Sequence, residues 1–381
     1  MPFRNIGRNF LALLIGVFIS FVLLEGLLRL FEPIEYRVKG NKIELPKDKE
    51  RQIINDKTDK LDRVISSRAN HLGFRGEPPP KNFADCLTII AIGGSTTECT
   101  LNSDGRTWCD IVARKLKERF GPVWLNNGGL NGHSSFGHLT LMEDIIVKIK
   151  PKVALFLVGA NDIGLEAPWA HDQNYLKKNP VRGMLAFLWA GLIDHSLVLS
   201  YAVNFHRYYK AKAMGLTFPI FNFAELEQLD ISPETAQALL QKHQEKYLKG
   251  YAARLTKLID ISRANAIEPV LITQPMVFGD LIDPLTGVNL AKATCWFADG
   301  KTMWKLLELY NGVMRETARQ HHVLVIDLAR EMPKSTEYYY DTYHFTNAGC
   351  QQVAAIIDKQ LEPFLAERYP QYLVSNHSNH H

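Results

Sequence analysis

Cysteine is scarce in this sequence: five in 381 residues, Cys86, Cys99, Cys109, Cys295 and Cys350, with no Cys-x-x-Cys pair. That spacing excludes a zinc ribbon or a thioredoxin-like motif, and the odd count leaves at least one thiol without an internal partner. A strong charge of either sign is lacking too. Lys plus Arg number 44 against 40 Asp plus Glu, a net charge of +4, and the basic residues do not gather on one face, so nucleic acid is not an expected partner. Gly-x-Gly-x-x-Gly and Walker A spacings are missing, which removes the usual phosphate-cradling loops. No metal-ligand constellation is visible, and no cofactor or metal is expected. The histidine-rich end, 377–381, reads as a disordered tail. Hydrophobic residues at 46% and charged residues at 22% exclude a largely disordered or collagenous chain.

What is present begins with an apolar run. Phe10 to Leu24 reads FLALLIGVFISFVLL without a charge, and GLLRLF resumes after Glu25. The 19 residues from Phe10 to Leu28 span about 28 Å as a helix, close to the hydrocarbon core of a bilayer. Arg4 and Arg8 resemble the basic start of a signal peptide, but no small-x-small cleavage site follows, so the reading is an uncleaved single-pass anchor. Glu25 and Arg29, four apart, share a helical face and can pair at the boundary. Arg29, Arg37, Lys39 and Lys42 outnumber Arg4 and Arg8. Long domains translocate largely regardless of charge, so the following domain is expected on the periplasmic, extracytoplasmic side.

The remaining organisation follows from composition and period. Residues 1–8 form a short tail, 9–31 the transmembrane anchor, and 32–83, rich in charge and carrying Pro78-Pro79-Pro80, a stalk or wrapping segment in which Phe74 can dock. From 84 to 370 apolar β-branched runs alternate with helical patterns. The runs are 86–94, 122–126, 153–159, 269–273 and 322–328; the helices fall at 106–120, 136–149, 301–320 and 346–366. Strands buried on both faces and separated by helices predict a doubly wound α/β domain with a parallel five-stranded sheet. The third and fourth strands lie about 110 residues apart, so a helical insertion is expected at about 165–245. Its most apolar part, 184–203, is expected to be a buried or lid helix rather than a second span, because Asp194-His195 would sit near the middle of the membrane. Residues 235–265 read as one long amphipathic helix, and 371–381 as a disordered end.

In such a sheet, chemistry gathers at the carboxyl ends of the strands. After the first run comes Gly93-Gly94-Ser95-Thr96-Thr97; after the second, Asn126-Asn127-Gly128-Gly129-Leu130-Asn131-Gly132-His133; after the third, Gly159-Ala160-Asn161-Asp162; and beyond the fifth, Asp341-Thr342-Tyr343-His344. Singly these read as a helix cap, a glycine turn, a loop and a second cap. Together, at one edge, they supply a hydroxyl nucleophile, amide donors and an acid–histidine pair, the parts of acyl transfer.

Those four blocks, in this order on these strands, resemble the SGNH hydrolases, also called GDSL esterases and lipases, over roughly residues 84–366. The resemblance implies a flavodoxin-like SGNH fold, with Ser95 as nucleophile, Gly132 (rather than Gly129 or Gly128) and Asn161 in the oxyanion hole, and Asp341 orienting His344 as base. One departure is visible: Gly94 stands where the name-giving motif has Asp, as in a GGS variant of membrane-anchored bacterial members, which weakens a lipase-type substrate inference but not the chemistry. A serine hydroxyl needs a base, and a histidine titrating near neutrality suits that task. The expected function is a serine esterase acting on acetyl or other acyl esters of a small molecule, lipid or glycan. The alternatives are an envelope-polysaccharide O-acyltransferase and an inactive binding module. Trp169 is expected to pack the insertion, with stacking on a sugar as the alternative. Cys99 is expected to be a packed residue rather than a second nucleophile.

Overall fold

The computed structural model describes residues 2–31, 38–39, 42–43, 45–168, 172, 191–193, 195–213 and 220–374. Trp169, Asp194 and 377–381 lie outside them. The chain divides into two compact units, Met1–Glu44 with Gln173–Thr217, and Leu45–Asp172 with Phe218–His381.

Among its described residues, the first unit holds two long helices. Helix α1 (Pro2–Phe31) contains the expected apolar run, and its side chains stand exposed, Phe18 at 67%. From Arg8 to Phe31 it is 24 residues of composition and length able to cross a membrane. Glu25 and Arg29 do pair, with Arg29 Nε 2.9 Å from Glu25 Oε1.

The second unit is built on a five-stranded parallel sheet. Its strands are β1 (Leu87–Gly93), β2 (Val123–Asn127), β3 (Val153–Leu157), β4 (Glu268–Ile272) and β5 (Leu324–Ile326), in the spatial order β5-β4-β3-β1-β2. Every residue of β1, β2 and β3 is buried, which is why these segments read as continuous apolar runs. Helix α2 (Trp108–Arg119) follows β1 and packs with the last long helix on one face. The strand order reverses at β1, so the connections onward from β2 occupy the other face. There α3 (Ser135–Leu141), continued by a wider turn at Met142–Ile146, packs on the helix leading into β4.

The insertion differs from expectation. Helix α4 (Leu197–Ala213) belongs to the first unit and packs on α1. The expected helix at 235–265 is two, α5 (Pro233–Lys246) and α6 (Leu248–Ala264), separated by Tyr247. Helix α7 (Gly300–His321) packs against both, and α8 (Asn347–Arg368) closes the fold against α2.

Residues 45–83 are not a free stalk. Ile65, Phe74 and Leu61 are buried in the second unit, and Glu50–Ile54 pairs antiparallel with Val64–Arg68. Arg75 exchanges backbone hydrogen bonds with Asn127, covering the free edge of β2. The C-terminal residues up to Val374 are likewise tied down, Tyr372 accepting from Gly121 N and Val374 N donating to Arg119 O. All five cysteines are buried free thiols.

Candidate active site

The strand order reverses between β1 and β3, and the four sequence blocks meet at the crevice this makes. Gly93 pairs with Leu157, so the ends of β1 and β3 lie side by side. Ser95 opens the short helix Ser95–Glu98 directly after β1, and as its first residue has an N–H with no intrahelical acceptor. Arg75 holds the far end of this turn: its guanidinium donates to the carbonyls of Glu98 and Cys99, each at 2.8 Å, and to Asn102 O. Arg75 belongs to the segment expected as a stalk. Its position shows why that segment must fold with the domain.

His344 Nε2 lies 2.7 Å from Ser95 Oγ, and His344 Nδ1 lies 2.6 Å from Asp341 Oδ2. The three-residue spacing has a local cause. Asp341 Oδ1 accepts from the backbone N–H of Tyr343 at 2.9 Å and of His344 at 2.8 Å, curling the chain so that its second oxygen meets the imidazole. The loop is closed by Tyr340 N donating to His344 O at 3.1 Å, and the Tyr340 ring stacks on the imidazole with centroids 5.5 Å apart. Asp341 is 4% exposed, so its carboxylate is shielded from water.

The amide donors arrive from the other two blocks. Asn161 Nδ2 donates to His133 O at 3.0 Å, which binds the third block to the glycine turn and leaves the amide a second hydrogen. Gly132 has φ +74°, a conformation that favours glycine. Gly94 is needed for another reason. A Cβ there would lie 2.5 Å from Asn161 Nδ2, so the side-chain amide passes directly over the residue preceding Ser95. A side chain at 94 would therefore press on the far end of the Asn161 side chain, which would have to shift. Of the residues expected at the site, Ser95, His344 and Asp341 are joined by hydrogen bonds, and Asn161 is tied to His133, the residue after Gly132.

Asp162, in the third block, reads from the sequence as a brace for this loop, and it is one; Arg254 and Asp172 were not singled out. Asp162, fully buried, accepts from Ser135 N at 3.1 and 3.2 Å and from Ser135 Oγ, and pairs with Arg254 Nη2 at 3.2 Å. Arg254, from α6, also donates Nε to Ser135 Oγ at 2.6 Å and lies 4.0 Å from the Phe136 ring centroid. Burial pushes the Asp162 carboxyl up to about 6, against the pull of Arg254 and Ser135. A second buried carboxylate, Asp172, accepts from Ser134 N at 2.9 Å and Ser134 Oγ at 2.7 Å. The loop after Gly132 is therefore pinned by two acids. Asp162 had a sequence signal, as neighbour of Asn161; Arg254 and Asp172 had none, because both act from elements distant in the chain. His138 on α3 is also buried, and burial pulls it down to about 4, leaving it neutral at pH 7. Cys99 is buried, its thiol 3.3 Å from Thr96 O.

Residues 91–352, more than half of the chain, match the model of the GDSL-like lipase/acylhydrolase family. The chain belongs to the GDSL-like lipase/acylhydrolase family. Solved structures similar to this hydrolase include an acetylxylan esterase from Geobacillus stearothermophilus, 14% identical with TM-score 0.40, covering 75% of this chain and 96% of that one. Another is a lipase/acylhydrolase from Enterococcus faecalis, 15% identical with TM-score 0.41, covering 73% and 97%. No curated protein matches the chain in sequence. Beside the acid–histidine loop of this acylhydrolase, the hairpin of Thr294–Cys295 and Ala298–Asp299 carries Trp296 and Phe297 at its tip, both more than half exposed. The Trp296 ring lies 5.8 Å from that of Tyr343.

Proposed function

We propose that this acylhydrolase is a membrane-anchored serine esterase that cleaves acetyl or other acyl esters through an acyl-Ser95 intermediate. The observation that carries the reading is the chain of two short hydrogen bonds, Asp341 Oδ2 to His344 Nδ1 at 2.6 Å and His344 Nε2 to Ser95 Oγ at 2.7 Å. Asp341 holds the proton on Nδ1, so Nε2 presents its lone pair to the serine hydroxyl. As Ser95 Oγ bonds to the ester carbonyl carbon, its proton passes to Nε2, and Asp341 stabilises the imidazolium. The carbonyl oxygen becomes an oxyanion, met by the N–H groups of Ser95 and Gly132 and the second hydrogen of Asn161 Nδ2. Collapse breaks the bond to the leaving alkoxide, which takes the proton from Nε2 and departs as the alcohol. Water then attacks acyl-Ser95, giving its proton to Nε2. The second collapse releases the carboxylic acid and returns the proton to Ser95 Oγ.

The N-terminal helix is read as a retained anchor. Exposed apolar side chains along a helix able to span a bilayer belong in lipid, and the catalytic unit is placed on the extracytoplasmic side because long domains translocate largely regardless of flanking charge.

The test is Ser95→Ala, assayed on p-nitrophenyl acetate and with a fluorophosphonate probe. Loss of labelling and a fall in kcat of at least about 10³-fold are expected. Full activity in the variant, or failure of wild-type Ser95 to react with the probe, overturns the assignment.

A further inference from the structure

Glu25 is the one carboxylate in the apolar stretch from Phe10 to Leu28, and it is engaged by a distant segment of its own unit. Its Oε1 accepts from Leu197 N at 2.9 Å; its Oε2 accepts from Val198 N at 3.1 Å and from Ser196 Oγ at 2.8 Å. These are the first N–H groups of α4, which otherwise lack acceptors, so a carboxylate from α1 caps α4 where the helix dipole favours a negative charge. Arg29 completes the grip: one guanidinium pairs with Glu25 Oε1 at 2.8 Å and donates to His195 O at 2.6 Å. The Glu25 side chain is only 16% exposed on a helix whose neighbouring apolar side chains are mostly open.

Position then decides environment. Glu25 lies three residues before Leu28, the end of the 19-residue span, about 4.5 Å inside it at 1.5 Å per residue. Whatever Glu25 caps enters at that depth. The preceding turn exposes Leu192 at 56%, and α4 exposes Phe205 at 57% and Tyr209 at 54%, their rings 4.8 Å apart. Tyr201, Phe205 and Tyr209 recur at four-residue spacing, and in the sequence Arg207, Lys210 and Lys212 lie among and just after them. Aromatic residues interleaved with basic ones are the composition of a helix at the headgroup level of an anionic bilayer.

We propose that α4 and the turn before it form an interfacial membrane helix, seated on α1 by Glu25 and Arg29, whose partner is the lipid surface. The proposal rests on the anchor reading of α1. Residues 184–203 were expected as a buried or lid helix; 184–190 and Asp194 lie outside the described residues, and the proposal gives the rest a lipid-facing role. Through it the insertion becomes a second attachment: the chain passes between the membrane unit and the hydrolase unit three times, near residues 44, 172 and 217.

The experiment uses the full chain reconstituted in phosphatidylcholine vesicles with and without phosphatidylglycerol, with L192C or F205C carrying an environment-sensitive NBD label. The native thiols are buried, which favours labelling of the introduced cysteine. Blue-shifted emission quenched by doxyl-labelled lipid, at least twofold more strongly than in an E25A counterpart, is expected. Esterase activity on p-nitrophenyl acetate should persist in E25A and serves as the folding control. Should E25A lose activity as well, E25Q, which keeps one acceptor oxygen, should show intermediate quenching. Emission as in water overturns the proposal, and so does blue-shifted emission without lipid quenching, the signature of a protein-buried helix. The intact mass separates the two readings: a protein lacking residues 1–31 refutes the anchor, whereas a full-length protein with an unquenched label refutes only the interfacial helix.

Discussion

The contact between Gly94 and Asn161 gives the sharpest test of the site. Gly94→Ala adds one methyl group, whose carbon would lie 2.5 Å from Asn161 Nδ2 and 3.4 Å from His133 O. Ordinary contact begins near 3.4 Å, so the amide must retreat by about 1 Å. A misplacement of that size at a reacting centre costs about 10²-fold, which matches the about 3 kcal/mol lost with one oxyanion donor. The expected result is kcat on p-nitrophenyl acetate reduced about 100-fold, with KM changed far less and the melting temperature nearly kept, because the crevice is open to the added atom apart from Asn161. The mechanism is isolated by a double-mutant cycle. If the methyl group acts by displacing Asn161, Gly94→Ala in an Asn161→Ala background should lower kcat by less than about threefold. Wild-type kcat in Gly94→Ala, or two fully additive losses, would refute the placement of Asn161 over the nucleophile.

Asp341→Asn should reduce kcat by about 10³–10⁴-fold while the protein still folds, since the amide oxygen can accept the two loop N–H groups but cannot stabilise an imidazolium; steady-state kinetics with a melting curve check both halves. Arg254→Met leaves Asp162 buried without its cation, at a cost of about 3–5 kcal/mol by urea denaturation, and a variant as stable as wild type would contradict the pinning of the 133–136 loop. The pH test concerns His138. Its folded value lies below the ordinary 6.5, at about 4, so its contribution to stability is complete above pH 6.5 and is lost as pH falls toward 4, a change of about 3 kcal/mol. Asp162, raised from 3.8 to about 6, contributes with the opposite sign: its share is present below 3.8 and lost as pH rises through 6. The whole-protein profile therefore partly cancels, and the check is the difference between wild type and His138→Gln, whose deficit should shrink as pH falls from 7 to 4. A constant deficit would count against a neutral buried imidazole.

The sheet was legible because three of its strands are buried along their whole length: LTIIAIG, VWLNN and VALFL carry largely apolar runs that have no stable place at a surface. The Asp341–His344 pair was legible because its geometry is local, made by two backbone N–H groups within three residues. Other features left a weaker trace or none. The charge and prolines of 45–83 suggested a stalk, yet Phe74, noted as able to dock, and Arg75 fasten that segment to β2 and to the nucleophile's turn. Tyr247 carries no helix-breaking signal, so the division between α5 and α6 left no trace in propensity.

The sequence by itself determined the strands, the order of the chemical blocks and the apolar N-terminal helix, because each is written in residues close together in the chain. Only the tertiary structure decided what those pieces hold. Arg254 meets Asp162 across 92 residues, and Glu25 meets Leu197 across 172. An ion pair or a helix cap made at that distance leaves no period in the sequence. It exists only once the packing of other elements has brought a buried charge to the donors that satisfy it.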